Sequence, residues 1–292
     1  MPLFFEPIDL VRQTEYLGFY KACPVKPSDY SFVNLWGWSE IYGLEWSFGS
    51  DLVWIRQTRP DVQYWAPVGN WDRDDFYGTI LNHLAAGDVM VRVPEILLKK
   101  LEAEKGSGIK VDEVRGHWDY LYALSDLVNL SGNRFHKKKN LLNQFKKKYD
   151  YQYLVFDEEL VEKALDMQEN WCTWRDCETD EALNAENRAI ARVLNNWGSF
   201  ENLIGGAILI EGEMAAYTIG ERLSADTLLI HFEKGSPGYK GIYQAINQMF
   251  VEQAQGTCQW VNREQDLDDE GLRKAKMSYN PVDFIKKYSI KV

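Results

Sequence analysis

Apolar residues recur along this chain with two different periods, and the alternation between them divides it into short strands and amphipathic helices. The clearest helical pattern is Ile242, Ala245, Ile246, Met249, Phe250 and Ala254, spaced i, i+3, i+4, i+7, i+8 and i+12. Residues 227–232 before it are a mostly apolar run of strand length, and residues 259–261 after it form a second, shorter one. A strand, a crossover helix and a strand predict parallel pairing, with both C-terminal strand ends at one rim of a sheet. That rim carries Glu233 and Lys234 after the first strand and Asn262, Arg263, Glu264 and Asp266 after the second. An open α/β sheet keeps its ligands at such a rim.

The same reading predicts two halves with one order of elements. In the first, a strand over 3–8 and a helix over 10–20 precede SDYSFVNLWGWSEIYG, a second helix that opens on Ser28 as N-cap. Strands follow over 44–48, 52–58 and 63–66, then a helix over 72–84 and a strand over 89–93. A helix over 94–104, with Pro94 at its start, and extended chain over 109–124 complete that half. The second half repeats the order with a strand over 151–156 and a helix whose stripe is Leu160, Ala164, Met167, Trp171 and Trp174. Another helix carries Leu183, Ile190, Leu194 and Trp197, and strands follow over 203–210, 214–222 and 227–232. Beyond the crossover helix come the short strand, a helix over 269–277 and a closing strand over 282–290. This is an α/β chain with mixed sheets, and its element order is similar to two tandem acyl-CoA N-acyltransferase (GNAT)-like domains. They divide as 1–125, with a degenerate site, and 126–292, with a basic linking helix and the candidate active site.

Composition narrows the function. The 292 residues are 45% hydrophobic and 14% aromatic, enough for packed cores, and the formal charge of −11 opposes long-range attraction to nucleic acid or anionic membranes. No apolar run approaches the roughly 18 residues of a membrane span, and the N-terminus lacks a basic leader region, so a cytoplasmic protein is expected. Cys23, Cys172, Cys177 and Cys258 show no CxxC spacing, which favours reduced thiols. His83, His117, His136 and His231 are scattered, and no Walker, dinucleotide, serine-elbow or zincin motif is present, so no metal or nucleotide cofactor is expected.

Against the acidic background stands SGNRFHKKKNLLNQFKKKY, with seven positive charges between Arg134 and Lys148 and no acid. As a helix it places Phe135, Leu142, Phe145 and Tyr149 on one stripe, and Lys138 falls on that stripe. A lysine there must snorkel, pair with a carboxylate or meet an anionic ligand. Glu233 is open to two readings: a strand-end charge neutralised by Lys234 or a nearby arginine, or a general base or anchor for a substrate amine. Asp268, Asp269 and Glu270 fit helix capping, whereas Asn262 and Asp266 flank the strand exit. Arg273 and Lys276 share one helical face, and Tyr279 follows that helix as core residue or proton donor.

Taken in order, SDYSFVNLWGW, SGNRFHKKKN, IHFEKG, VNREQDL and GLRKAKMSYNP resemble the phosphatidylglycerol lysyltransferase C-terminal-domain-like family across almost the whole chain. The resemblance implies aminoacyl-tRNA, rather than acetyl-CoA, as acyl donor. It carries over Glu233, Asn262, Asp266 and Tyr279 as candidate catalytic residues, and Lys137, Lys138, Arg263, Glu264, Arg273 and Lys276 as substrate-binding ones. The implied partners are a tRNA acceptor end and a small-molecule, peptide or lipid head-group acceptor. Acetyl-CoA enzymes of this fold carry Q/R-x-x-G-x-G/A before the crossover helix; here Gly235, Gly238 and Gly241 are three apart, a poor fit. The alternatives are an acyl-CoA-dependent N-acyltransferase and a non-catalytic small-ligand-binding protein.

Overall fold

The computed structural model describes residues 3–72, 74–105, 109–175 and 180–292. They divide into two compact units, Met1–Asp119 with Gln265–Glu270 and Phe284–Val292, and Tyr120–Glu264 with Gly271–Asp283.

In the first unit β1 (Glu6–Pro7), β2 (Leu44–Phe48), β3 (Leu52–Gln57) and β4 (Gln63–Gly69) pair antiparallel in sequence order. Next comes β5 (Val89–Pro94), parallel to β4 and in register with it at Tyr64 opposite Met90 and Trp65 opposite Val91. Helices α1 (Gln13–Ala22) and α2 (Phe32–Tyr42) cover β2 to β4, and Tyr16, Phe32 and Trp46 stack at 5.8–6.1 Å between them. The N-cap expected at Ser28 is supplied by Ser31 instead, whose hydroxyl faces the Asn34 amide. Ser28 is occupied elsewhere: its amide and hydroxyl donate to Asp119 at 2.7 and 2.8 Å. Gly43, in the left-handed region with φ 58°, ends α2. Helix α3 (Phe76–Leu81) is shorter than the pattern predicts and is capped by Asp75; α4 (Glu95–Lys105) starts after Pro94, which is the last residue of β5.

The remaining strands correct the expected division. Of the extended chain over 109–124, β6 (Lys110–Glu113) stays in the first sheet, whereas β7 (Asp119–Ala123) enters the second. Conversely, the closing strand expected over 282–290 is two: residues 283–285 stay in the second sheet, whereas β14 (Lys287–Lys291) lies between β5 and β6 of the first sheet, with Lys287 opposite Pro94 and Tyr288 opposite both Val93 and Glu113. Buried charge fixes that register. Lys287 is fully buried, with Nζ bonded to Asp29 and, at 2.6 Å, to Asp119; Arg92 Nη1 lies 3.2 Å from Asp29. Burial alone would raise the Asp29 carboxyl, but the Arg92 and Lys287 charges outweigh it and hold it well below the usual range.

In the second unit α5 (Leu124–Asn129), α6 (His136–Lys148), β8 (Tyr151–Val155), α7 (Glu158–Arg175) and α8 (Glu181–Leu194) precede the meander β9 (Leu203–Ile210), β10 (Glu213–Arg222) and β11 (Thr227–Gly235). Then come α9 (Ile242–Glu252), β12 (Trp260–Asn262), α10 (Glu270–Met277) and the edge strand β13 (Asp283–Ile285). The sheet order is β13-β7-β12-β11-β10-β9-β8, with β11 and β12 parallel as the crossover predicts. The periodic residues of α9 are all buried, each isoleucine, methionine or phenylalanine contributing roughly 1.5–3 kcal/mol before entropy is counted.

Successive residues of β11 face opposite sides. Lys234 reaches Glu186 of α8 at 2.6 Å and lies over the Trp171 ring of α7, while Glu233 faces α9. Helix α6 packs on α9 so closely that a Cβ on Gly241 would sit 2.4 Å from the Leu141 carbonyl oxygen. Cys23 and Cys258 are buried free thiols, but Cys172 is disulfide-bonded, which corrects the expectation of reduced cysteines throughout. Cys177 and the Trp174 side chain lie outside the described residues. Among the described residues no helix is long and apolar enough to cross a membrane.

Candidate functional site

Strands β11 and β12 stay paired for three residues, Thr227 with Trp260, Leu228 with Val261 and Leu229 with Asn262, and then part. β11 runs on to Gly235, whereas the other chain turns along β7, where Arg263 N bonds Tyr120 O at 3.0 Å and Tyr120 N bonds Glu264 O at 3.1 Å. Glu233 and Arg263 meet where the strands diverge. Arg263 Nη2 donates to Glu233 Oε1 at 3.1 Å, and Asn247 Nδ2 of α9 donates to Oε2 at 3.0 Å. The guanidinium lies 4.9 Å from the ring centroid of Tyr279 and 5.9 Å from that of Tyr122, and Lys138 of α6 places Nζ 4.2 Å from the Tyr279 centroid. Side-chain exposure is only 10% at Glu233 and 13% at Arg263, yet Arg263 Nη1 is buried and makes no hydrogen bond among the described residues. Burial pushes the Tyr279 hydroxyl up to about 12 against the opposing Arg263 charge, so it stays a protonated donor at neutral pH. Burial, and then the neighbouring Arg263 charge, lower Lys138, with Glu233 opposing.

The segment that presents Arg263 is held by three side chains. Lys276 Nζ donates to the Arg263 carbonyl at 2.6 Å, and the Tyr122 hydroxyl donates to the Lys276 carbonyl at 2.9 Å. Asn262 Oδ1 accepts from the Glu264 amide at 2.8 Å, which fits the left-handed φ of 57° at Glu264. Glu264 Oε1 is 2.9 Å from His231 Nδ1, and His231 Nε2 is 3.3 Å from Glu221 Oε1. Burial would lower His231, but hydrogen bonding and charge from Glu221 and Glu264 outweigh it and raise the imidazole to about 9.

This makes a pH prediction. The folded value lies above the ordinary 6.5, so the imidazolium contributes stability in full below pH 6.5 and loses it as pH rises through about 9. The urea midpoint is expected to fall across that window, and His231→Gln is expected to flatten the slope. An equal slope in both proteins would show that His231 does not carry it.

Of the expected site residues, the structure brings Glu233, Arg263, Tyr279 and Lys138 together, with Lys276 supporting from behind through the Arg263 carbonyl. Asn262 is fully buried and Glu264 binds His231, so both shape the backbone around Arg263. Lys137 is exposed on α6, and Arg273 is partly buried on α10. Asp266 belongs to the first unit, where Oδ1 accepts from the Asp268 amide at 2.9 Å and Oδ2 lies 3.4 Å from Arg115. Glu233 is neutralised by an arginine rather than by Lys234, whose side chain points to the other face. Three contributors escaped the sequence reading: Asn247, His231 and Gln244, which bonds the Tyr279 hydroxyl. Asn247 interrupts an apolar helix face, a signal that was present, whereas His231 lies where the register of β11 with β10 shifts, which alternation does not foretell.

The corresponding position of the first unit holds a different constellation. Arg92 follows the last paired residues of β4 and β5, with φ 57°, Nη1 bonded to Gln265 at 2.7 Å and paired with Asp29. Arg92 thus meets one carboxylate, Asp29, and one amide, Gln265, both delivered by distant segments of the chain.

The profile of the family described as "Phosphatidylglycerol lysyltransferase, C-terminal" matches residues 20–291. The chain belongs to this family. A crystal structure of a conserved protein of unknown function from Bacteroides thetaiotaomicron is 30% identical, with a TM-score of 0.90 and 99% of each chain covered. The structure of L-PGS from Bacillus licheniformis shares the fold at 13% identity, with a TM-score of 0.64 over 98% of this chain and 92% of that one. FemX does so at 8% identity, with a TM-score of 0.60 over 99% and 97%. The architecture is therefore that of two tandem GNAT-like units. An uncharacterised protein from Mycoplasmoides gallisepticum is 24% identical over 203 residues; the match spans 64% of this chain and 63% of that relative's length.

Proposed function

We propose that this family member transfers an aminoacyl group from aminoacyl-tRNA to an amine or hydroxyl acceptor, a lipid head group among the candidates, and that the chemistry takes place where β11 and β12 part. The observation that carries the choice of donor lies at the start of α9. There a CoA enzyme of this fold would present free amides to a pyrophosphate. Here α6 covers that end: the Lys240 amide donates to the Tyr149 hydroxyl at 3.3 Å, and the Leu141 carbonyl lies against Gly241. Acetyl-CoA is accordingly expected to leave the melting temperature unchanged.

The same helix exposes Lys137, Lys139, Lys147 and Lys148, a basic surface suited to tRNA phosphates on an otherwise acidic protein. Glu233, held by two donors, serves in this reading to orient Arg263 rather than to remove a proton. Tyr279, kept protonated by burial, supplies its proton to the departing ribose oxygen and takes one back from the acceptor's attacking amine or hydroxyl, so that the phenol is restored at the end of the transfer. Lys138 and Arg263 face the donor's reacting end.

Titration of charged tRNA against salt tests the proposal. Binding is expected with a shallow slope, and each of Lys137→Gln and Lys139→Gln should reduce that slope by about 0.7–0.9 if its lysine contacts one phosphate. Absence of binding at low salt, or an unchanged slope in the double variant, would remove tRNA as the donor.

A further inference from the structure

Four charged or polarised groups close around the parting of β11 and β12, and their charges do not cancel. Arg263 and Lys138 are cations, Glu233 is the carboxylate that both of them feel, and Tyr279 is a neutral phenol, which leaves the cluster at +1. Nη2 of the guanidinium binds Glu233 and the group also bonds the Tyr279 hydroxyl, but Nη1 is buried with no hydrogen-bond partner among the described residues. A buried donor on a charged group left unpaired is costly, and a cationic enclosure of low exposure compounds the cost. Lys138 shows the same imbalance, since its ammonium rests over an aromatic face and its proton affinity is lowered by burial and by Arg263.

We infer that Arg263 Nη1 and Lys138 Nζ form a subsite for one oxyanion, a carboxylate or a phosphoryl oxygen, with Tyr279 as the floor between them. This rests on the site assignment proposed above but goes further, because it names the chemistry received there and gives Glu233 a specific part. Glu233 sets the guanidinium angle with one oxygen, and its negative charge limits how strongly the anion is held.

That division of roles gives two substitutions with opposite effects. Glu233→Gln keeps an oxygen acceptor for Arg263 Nη2 while removing the charge, so anion affinity should rise by about tenfold. Lys138→Gln should lower it by a comparable factor. A purely structural cluster would lose affinity in both variants or show none to begin with. The measurement is calorimetric titration of the full chain with acetate and with adenosine monophosphate. Far-ultraviolet circular dichroism and a urea midpoint would confirm that each variant is folded.

Tighter binding of the nucleotide would assign the subsite to a nucleic-acid phosphate, and tighter binding of acetate to a substrate carboxylate; either supports the inference. It is overturned if neither anion binds at millimolar concentration, or if Glu233→Gln binds no better than the parent. Because the titration needs no turnover, it is separable from the donor assignment. Anion binding without transfer from charged tRNA removes the proposed reaction and leaves the subsite, whereas transfer without anion binding does the reverse.

Discussion

Replacing Lys287 with methionine is expected to destabilise the folded protein by about 3–5 kcal/mol, measured as a shift in urea unfolding. Lys287 is the fully buried cation between Asp29 and Asp119, and both carboxylates are closed to solvent. Methionine fills much of the same volume but leaves two buried anions with only Arg92 close to Asp29. The loss is a large part of the 5–15 kcal/mol by which domains are typically stable. Adding Asp119→Asn should recover part of it, since the amide can still bond Ser28 without carrying charge. A loss below about 1 kcal/mol in the single variant would mean that the buried pair is solvated or neutral and does not fix the register of β14.

The second large effect is on transfer. Arg263→Lys should lower the rate of aminoacyl transfer by about 100- to 1000-fold, because an ammonium cannot bind Glu233 with one nitrogen and present a second donor with another. The check is a single-turnover assay with charged tRNA and an amine or hydroxyl acceptor. A residual rate within about threefold of the parent would show that the free guanidinium nitrogen does not face the reaction.

Both arguments use residues that the sequence exposed unequally. The amphipathic stripe of α9 and the strands on either side are local patterns, and the parallel pairing of β11 with β12 follows from the length of the crossover. Glu233 and Arg263 were legible for the same reason: Arg263 directly follows β12 and Glu233 lies near the C-terminal end of β11, both at the shared rim. The exchange of β7 and β14 between sheets was not legible. A period of two marks a strand and says nothing about its partner, and the deciding contacts join Lys287 to residues 258 and 168 positions away. The same limit hid the first unit's cluster, since Asp29 and Gln265, which both meet Arg92, are 236 positions apart. Ser28 followed a sound rule for capping, but Asp119 competed for its hydroxyl and Ser31 took its place.

The placement of β14 also bears on how the protein folds. In the second sheet the pairings of β8 to β11 join neighbours in the chain, whereas the first sheet is completed only when β14 inserts between β5 and β6, nearly two hundred residues after β5. Until β14 is in place the edges of β5 and β6 stay unjoined, and Asp119 lacks the Lys287 ammonium while Asp29 has Arg92 alone beside it. Closing the first sheet is therefore a long-range step, expected to be slower than zipping the second sheet's meander.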